Sequence, residues 1–458
     1  MNDGAKVKKS QDLGSDNIGR LMFSLAVPAI TAQLVNMLYN IVDRIYIGHI
    51  PEIGPTALTG VGICFPIITL IMAFSSLVAM GGAPQAAIAM GQKNNEKAEQ
   101  ILGNCFTSLL AVAAILTAVF LIFGEPILRA FGASDNTIGY ANDYLQIYVI
   151  GTVFVQIALG MNMFITTQGF AKISMLTVVI GAALNIALDP VFIFGFGMGV
   201  RGAALATIIS QGVSAMWVLK FLTGKKTTLR IRKHGMAVKP KIMLPVLALG
   251  VSPFIMQSTE SLLSVVLNTS LLKYGGDLAV GAYTVLGSVM QIVNLPMQGL
   301  FQGAQPITSY NYGAQKFDRV KKSVRLLTIS AVVYGTVFWL ALMLVPQIFV
   351  GMFTNDAALT EITVWAMRIF LAGVFAFGFQ GSFQNSFLAL GQAKVSLLLA
   401  LLRKIVLLIP LIFIMPMFFE NKLFGVFVAE PIADITAAVV TTISFLMWAR
   451  KNLGRQER

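Results

Sequence analysis

The residues of this chain best suited to chemistry are acids set within long apolar segments. Asn36, Asn40 and Asp43 follow one another at spacings of four and three, with Tyr39 beside them. In a helix these spacings place the side chains on one stripe, and Pro28 lies below that stripe, where it can kink the helix. Ionisable groups inside a bilayer are costly, so a polar stripe of this kind indicates function and must face protein or water.

A second acid lies in the fifth apolar segment. Asn185 and Asp189 are four residues apart and share a helix face, and Thr207 follows in the next segment. At ~1.5 Å of rise per helical residue, Asp43, Asp189 and Thr207 all fall in the outer half of the same group of helices. These depths allow the side chains to gather in one pocket.

Two carboxylates, an amide, a hydroxyl and a phenol have two chemical uses. They supply the hard oxygen ligands that small cations such as Na⁺ prefer. They can also hold a proton, because burial and a neighbouring like charge both favour the protonated form of a carboxylic acid. The structural alternatives are that Asp43 pairs with Arg44 at the outer interface and that Asp189 caps a helix end near Pro190.

The charges in the second half of the chain predict a different arrangement. Buried charges tend to pair, so Arg403 is expected to meet Asp434, and Lys404 is expected to reach Glu430 in structural ion pairs. Glu260 has no evident partner. We expect it to line a central cleft, where an acid attracts cations, with a hydrogen-bonded structural role as the alternative.

Soft and polar side chains are predicted to line the same cleft. Methionine adapts to varied ligands, and amides fix their orientation. The candidates are Asn36, Gln257, Gln291, Asn294 and Met297.

The segments that carry these residues have the composition of membrane helices. The chain is 56% hydrophobic and only 12% charged, with a mean hydropathy of +0.78, whereas a soluble domain is about 25% charged. Twelve apolar runs each approach the ~20 residues that cross a bilayer. The sequence therefore predicts an all-α polytopic membrane protein with twelve transmembrane helices.

The chain also repeats at about half its length. Residues 81–102 return at 303–324, and residues 169–176 return at 391–398, both at the same offset. Six helices per copy is an even number, so both copies enter the membrane from the same side as parallel repeats. We predict two six-helix lobes around a central cleft, with one lobe rocking against the other.

Basic residues set the predicted topology. Of the 33 Lys and Arg, 25 fall on the N-terminal side of the membrane and five on the other, so both termini are predicted to be cytoplasmic. The basic linker is expected to touch anionic lipid and not nucleic acid. The predicted parts are a polar, mobile tail (1–19), an N-lobe (20–222), a linker (223–241), a C-lobe (242–449) and a C-terminal tail (450–458).

Several other function classes lack their residues. The two histidines and two cysteines form no nucleophile–base or metal pattern in the sequence, and there is no P-loop for ATP. Two unequal lobes provide no ring of equivalent pore ligands for a channel. The predicted protein is therefore neither an enzyme nor an ATP-driven pump, and it needs no cofactor beyond a coupling ion.

Two motifs resemble those of the multidrug and toxic compound extrusion (MATE) family, in particular its MepA-like branch. They are LAVPAITAQLVNMLYNIVDRIYIG at 25–48 and ALNIALDPVFIFGFGMGVRGAALAT at 183–207, and the duplicated loops add to the resemblance. The resemblance implies a monomeric antiporter in a bacterial or archaeal plasma membrane. It also implies that the protein expels cationic lipophilic drugs and dyes in exchange for H⁺ or Na⁺.

Specific residues carry over from that resemblance. Asp43, Asn185, Asp189 and Thr207, with Tyr39 nearby, match the family's N-lobe site for a proton or Na⁺.

In the C-lobe, Glu260 matches an acid that another branch uses, but the partner acid of that branch has no equivalent near Gln380.

The alternative to a drug antiporter is a flippase for lipid-linked saccharides, an activity found in the same superfamily. That activity requires a cleft rich in basic residues.

Overall fold

The computed structural model describes residues 12–454, with every side chain in that range except that of Ser261. In this range, nine helices are long and apolar enough to cross a bilayer singly, and two bent helix pairs raise the number of spans to eleven. The longest helix, Pro240–Gly313, contains two spans, because Gly276 leaves the helical region at φ 65° and ψ −163°. The chain is therefore an all-α, multi-pass membrane protein of twelve spans, as predicted.

The spans form two lobes of six helices. The helices of the N-lobe, α1 to α6, are Ile18–Gly48, Gly54–Gly91, Asn95–Ala130, the bent pair Ile138–Ile150 and Thr152–Thr167, Ala171–Gly195 and Val200–Thr223. The helices of the C-lobe, α7 to α12, are 240–275, 277–313, Phe317–Leu344, the bent pair Ala357–Phe370 and Val374–Ala389, Ala393–Met417 and Lys422–Leu453.

The duplication is visible in the shape of single helices. The fourth helix of each lobe is bent, by 58° in α4 and by 47° in α10. The second half of α4 begins at Thr152 and that of α10 begins at Val374, positions separated by the repeat offset. Gly151 and Gly373 precede these two positions. The two copies therefore keep the same break in the same helix.

The lobes touch through glycines at matching positions of the repeat. A Cβ atom at Gly91 would lie 2.0 Å from the carbonyl oxygen of Tyr310, and one at Gly313 would lie 2.0 Å from the carbonyl oxygen of Ile88. These contacts join α2 of one lobe to α8 of the other. Because both neighbours are backbone atoms, no side chain can rotate away, and only glycine lets the helices approach this closely.

Alanine at such a contact is expected to destabilise the protein. In Gly250→Ala the new methyl would lie 1.7 Å from the carbonyl oxygen of Leu77, whereas at Gly287 no atom lies within 4 Å of an added Cβ. Overpacking costs about 1–3 kcal/mol, while alanine at an unhindered helical glycine stabilises by roughly 0.5–1 kcal/mol. We expect Gly250→Ala to lower the melting temperature of the purified protein and Gly287→Ala to leave it unchanged or raise it. An equal response of the two variants would contradict this account of the lobe contact.

The predicted mobile tail is anchored in the part that the structure describes. Asn311 and Lys316 of the C-lobe donate hydrogen bonds of 2.8 and 2.7 Å to two backbone carbonyls just before α1. The mobility predicted for 12–17 is therefore wrong, because this segment uses its own carbonyls as acceptors for C-lobe side chains. Residues 1–11 and 455–458 lie outside the described residues.

The linker between the lobes is held against the N-lobe. The side-chain oxygen of Gln168 accepts hydrogen bonds from the Thr227 hydroxyl and from the Leu229 backbone N–H, both at 2.7 Å. Glu99 forms an ion pair with Arg232 at 2.9 Å. The segment that precedes the N-lobe therefore contacts the C-lobe, and the linker that precedes the C-lobe contacts the N-lobe.

Candidate functional site

Three helices bring the predicted N-lobe residues together. Asp43 comes from α1, Asn185 and Asp189 from one face of α5, and Thr207 from α6. The Asn185 amide donates to a carboxylate oxygen of Asp189 and to the Thr207 hydroxyl, each at 3.3 Å. Asp189 is fully buried, so this pocket holds an acid that water does not solvate directly.

The pocket has more acceptors than donors. One oxygen of each of the side chains Asp43, Asn185 and Asp189 is buried without a hydrogen-bond partner. The carboxyl groups of Asp43 and Asp189 lie within hydrogen-bonding reach of each other. An unpaired buried polar atom is costly, and two carboxylates in contact repel. A proton shared by the two carboxyl groups would remove their repulsion, and a small cation would provide a partner for oxygens of all three side chains.

The structure does not fit the purely structural roles considered for the two acids, an ion pair of Asp43 with Arg44 and a helix-end cap by Asp189. The guanidinium of Arg44 lies over the Phe65 ring, 5.4 Å from its centre, and no ion pair among the described residues joins Arg44 to Asp43. Asp189 is not at a helix end, since α5 continues through Pro190 into a π-helical turn. Short π-helical segments are frequent at functional sites.

Two tyrosines complete the pocket. Tyr39 lies close to both carboxyl groups, as predicted from its place on α1. Tyr144 of α4 was missed by the sequence reasoning: it is buried within electrostatic range of Asp43 and within hydrogen-bonding reach of Thr207. Its ring stacks on that of Tyr148. The signal for it was this pair of tyrosines, four residues apart in an apolar segment.

A small cavity opens beside these residues. Its volume is about 30 Å³, enough for a water molecule or a small cation. Its polar lining consists of amides, hydroxyls and a phenol: Asn36, Tyr39, Thr177, Asn185, Thr207, Ser210, Gln211 and Ser214. The neutral oxygens among them are ligands of the kind that Na⁺ accepts, and they are also acceptors for a water that relays a proton. No group of three or more acids, histidines or cysteines among the described residues forms a transition-metal site.

A larger cavity of about 510 Å³ lies between the lobes. Its size is that of a small-molecule site. The wall combines methionines (Met72, Met80, Met163, Met175 and Met256) with amides (Gln33, Asn36, Asn162, Gln257, Gln298, Gln302, Gln305, Gln384 and Asn385). Asn36, Leu159 and Val178 line both this cavity and the small one. The small cavity next to Asn185 and Thr207 therefore adjoins the larger cavity between the lobes.

Part of the predicted cleft lining is wrong. Asn36, Gln257 and Glu260 line the cavity, whereas Gln291 and Asn294 do not.

Met297 is not at the cavity either. It is buried in the apolar cluster around Phe301, because α8 turns that face toward α1 and α9. The glutamines that sequence reasoning missed are Gln298, Gln302 and Gln305, which follow one another at spacings of four and three on the same helix.

The C-lobe charges form a connected cluster with one partner exchanged relative to the prediction. Arg403 pairs with Asp434 at 2.7 Å and with Glu430 at 3.3 Å. Lys404 does not reach Glu430 in an ion pair but pairs with Glu260 of α7. The prediction that Glu260 has no partner is therefore wrong as well, because α11 packs against α7 with the Lys404 side chain directed towards Glu260.

Pro28 lies inside a continuous helix and is buried. The residues on either side of it touch the C-lobe: a Cβ atom at Gly303 would lie 2.5 Å from Ala26 backbone, and one at Gly299 would lie 2.5 Å from Ile30 backbone. The proline is thus held between two close contacts with α8. Its role as a hinge stays a prediction.

A model of the MatE family matches residues 28–191 and 253–447. The chain belongs to the MatE family. The two matched segments fall one in each lobe, as expected for a duplicated unit. The acids of both lobes lie inside the MatE matches, whereas Thr207 and the other α6 residues that line the small cavity lie between the two matched segments.

The curated relatives are aligned with this chain over most of their length. The multidrug export protein MepA of Staphylococcus haemolyticus is 26% identical over 410 residues, which cover 89% of this chain and 88% of the relative. MepA of Staphylococcus aureus strain N315 is 24% identical over 423 residues, covering 92% of this chain and 93% of the relative.

Solved structures share the fold. A MATE protein crystallised in a bent conformation has a TM-score of 0.90 at 23% identity, covering 96% of this chain and 97% of that one. An outward-facing MATE family transporter has a TM-score of 0.89 at 22% identity over all of both chains. The two-lobe arrangement is therefore that of MATE structures.

Proposed function

We propose that this protein is a secondary active multidrug efflux antiporter that exports lipophilic cations in exchange for H⁺ or Na⁺. The observation that carries the proposal is the small cavity beside the N-lobe acids, which Asn185 and Thr207 line and which shares Asn36, Leu159 and Val178 with the central cavity. An ion in the pocket and a drug in the cavity are then close enough for each to change the free energy of binding of the other. The names of the MepA relatives, multidrug export proteins, support the export of drugs.

Helix α1 is the element through which coupling would occur. It carries Asp43 and Tyr39 at the acid pocket and Gln33 at the cavity. Loading the acids with a proton or Na⁺ removes the repulsion between two buried carboxylates. The helix would then bend or repack at Pro28, and the cavity would lose part of its hold on the drug.

The flippase alternative has little support at the cavity. A pyrophosphate-linked saccharide would need cationic side chains in the wall. Among the described lining residues, Glu260 is the single ionisable one, and its charge is negative. A cavity of amides and methionines suits an uncharged or cationic lipophilic molecule.

We further propose a bacterial or archaeal plasma-membrane location and a monomeric state. We also propose that both termini are cytoplasmic, as the charge distribution predicts. In this topology, the N-terminal tail and the linker between the lobes both lie on the side of the membrane that carries most of the Lys and Arg residues.

The test is ethidium transport in proteoliposomes of the purified protein under an imposed pH gradient or an imposed Na⁺ gradient. We expect one of the two gradients to drive ethidium against its concentration difference, and ionophores that dissipate this gradient to stop the transport. Ethidium movement that neither gradient accelerates would contradict antiport.

A further inference from the structure

The one acid in the cavity wall already has a cationic partner. Lys404 of α11 donates to the Glu260 carboxylate and, at 2.7 Å, to the backbone carbonyl of Met256. The lysine side chain is 4% exposed, whereas that of Glu260 is 61% exposed. The ammonium group therefore approaches the carboxylate from inside the C-lobe, while the carboxylate faces the cavity.

The backbone of α11 accounts for the direction of the lysine. Lys404 and Arg403 lie in a seven-residue π-helical segment, Leu402–Leu408, between two α-helical parts. The extra residue in a π-helical turn shifts the side chains that follow relative to a regular helix. Two adjacent cations consequently both find acids on neighbouring helices, Glu260 on α7 and Asp434 on α12.

The cluster contains a spare acceptor. Among the described residues it comprises three carboxylates, those of Glu260, Glu430 and Asp434, and two cations. Arg403 uses only Oε1 of Glu430, and Oε2 of Glu430 is buried without a hydrogen-bond partner. Glu430 also lies within electrostatic range of Lys404. The lysine thus has a second carboxylate within electrostatic range, in addition to the one with which it pairs.

From this arrangement we propose that Lys404 is a specificity-determining residue, a tethered cation that competes with the substrate for Glu260. The proposal rests on the proposed function, in which the cavity binds organic cations. When such a cation enters, its charge takes the place of the lysine on Glu260, and Lys404 turns to the free oxygen of Glu430. Lys404 then keeps an ion-pair partner, and the incoming cation gains one.

This competition selects for lipophilic cations. An inorganic cation that displaces the lysine makes no apolar contact with the cavity wall. An organic cation also buries apolar surface against the methionines of the wall, at about 25 cal/mol per Å². An uncharged ligand gains nothing from Glu260 and does not need to move the lysine.

The experiment measures binding, not transport. Wild type and variants of the full chain are reconstituted in lipid nanodiscs, and ethidium binding is followed by fluorescence polarisation. The uncharged dye N-phenyl-1-naphthylamine serves as the second probe. Lys404→Met removes the competing charge at similar volume, and Lys394→Met, at an exposed position near the start of the same helix, is the matched control.

We expect Lys404→Met to bind ethidium about tenfold more tightly, a difference of about 1.4 kcal/mol. Lys394→Met should bind like wild type, and the uncharged dye should bind all three proteins equally. The gain should disappear in the double variant Glu260→Gln/Lys404→Met. Glu430→Gln, which removes the alternative partner of the lysine, should weaken ethidium binding several-fold and report on the exchange even if Lys404→Met does not fold.

The outcomes separate the two proposals. If wild type binds ethidium and Lys404→Met binds it no more tightly, the competition is refuted while the proposed function stands. A gain that persists in the double variant also refutes it, since Glu260 is then not the contested group. If neither wild type nor Lys404→Met binds ethidium, both proposals fail.

Discussion

Asp189→Asn is expected to abolish ion-coupled efflux while leaving the protein folded. Asp189 is fully buried, accepts a hydrogen bond from Asn185, and has one oxygen without a partner. Asparagine has nearly the same shape, but it cannot take up a proton and brings no negative charge to a cation. We expect gradient-driven ethidium transport in proteoliposomes to fall at least tenfold, about 1.4 kcal/mol in the barrier. Asp43→Asn should behave in the same way.

Asp143→Asn is the matched control for this experiment. Its carboxylate forms an exposed ion pair with Arg201 at 2.8 Å, so its loss should leave transport within about twofold of wild type, given the small energies of exposed pairs. The melting temperature of Asp189→Asn should equal or exceed that of wild type, since the change removes a buried unpaired charge. A variant that retains most of the gradient-driven rate would contradict the assignment of the acid pocket as the coupling site.

Arg403→Met is expected to cause the largest loss of stability in the C-lobe. The guanidinium pairs with both Asp434 and Glu430 and lies 4.6 Å from the centre of the Phe377 ring. Its removal leaves two buried carboxylates without a cation. Breaking a buried ion pair from one side costs about 3–5 kcal/mol, and we expect a corresponding fall in the melting temperature of the purified protein.

Two further variants define the cause of that loss. Arg201→Met breaks an exposed pair and should leave the melting temperature close to that of wild type, because solvent screens the pair. The double variant Arg403→Met/Asp434→Leu removes both members of the closer pair, and it should recover part of the stability because one fewer buried charge remains unpaired. If Arg403→Met melts at the same temperature as Arg201→Met, the cluster does not hold the C-lobe together in the way described.

The features that follow from position along a single helix could be predicted from the sequence. Asn185 and Asp189 share a face because they are four residues apart, and the low charge of the chain predicts membrane spans because charge in a bilayer is expensive. The repeat at 81–102 and 303–324 predicted two lobes of the same orientation, because an even number of spans returns the chain to the same side.

Only the tertiary structure decided how the helices are rotated and which neighbours they meet. The pairing of Lys404 with Glu260 instead of Glu430 depends on a π-helical turn that no spacing reveals. The place of Tyr144 in the acid pocket depends on how α4 packs. Helix rotation is set by the sum of contacts with all neighbouring helices, including backbone contacts at glycines. The order of residues along one helix does not determine that sum. The sequence by itself therefore determined the type of protein and the acids that bear its chemistry, and the packing of the two lobes determined their partners.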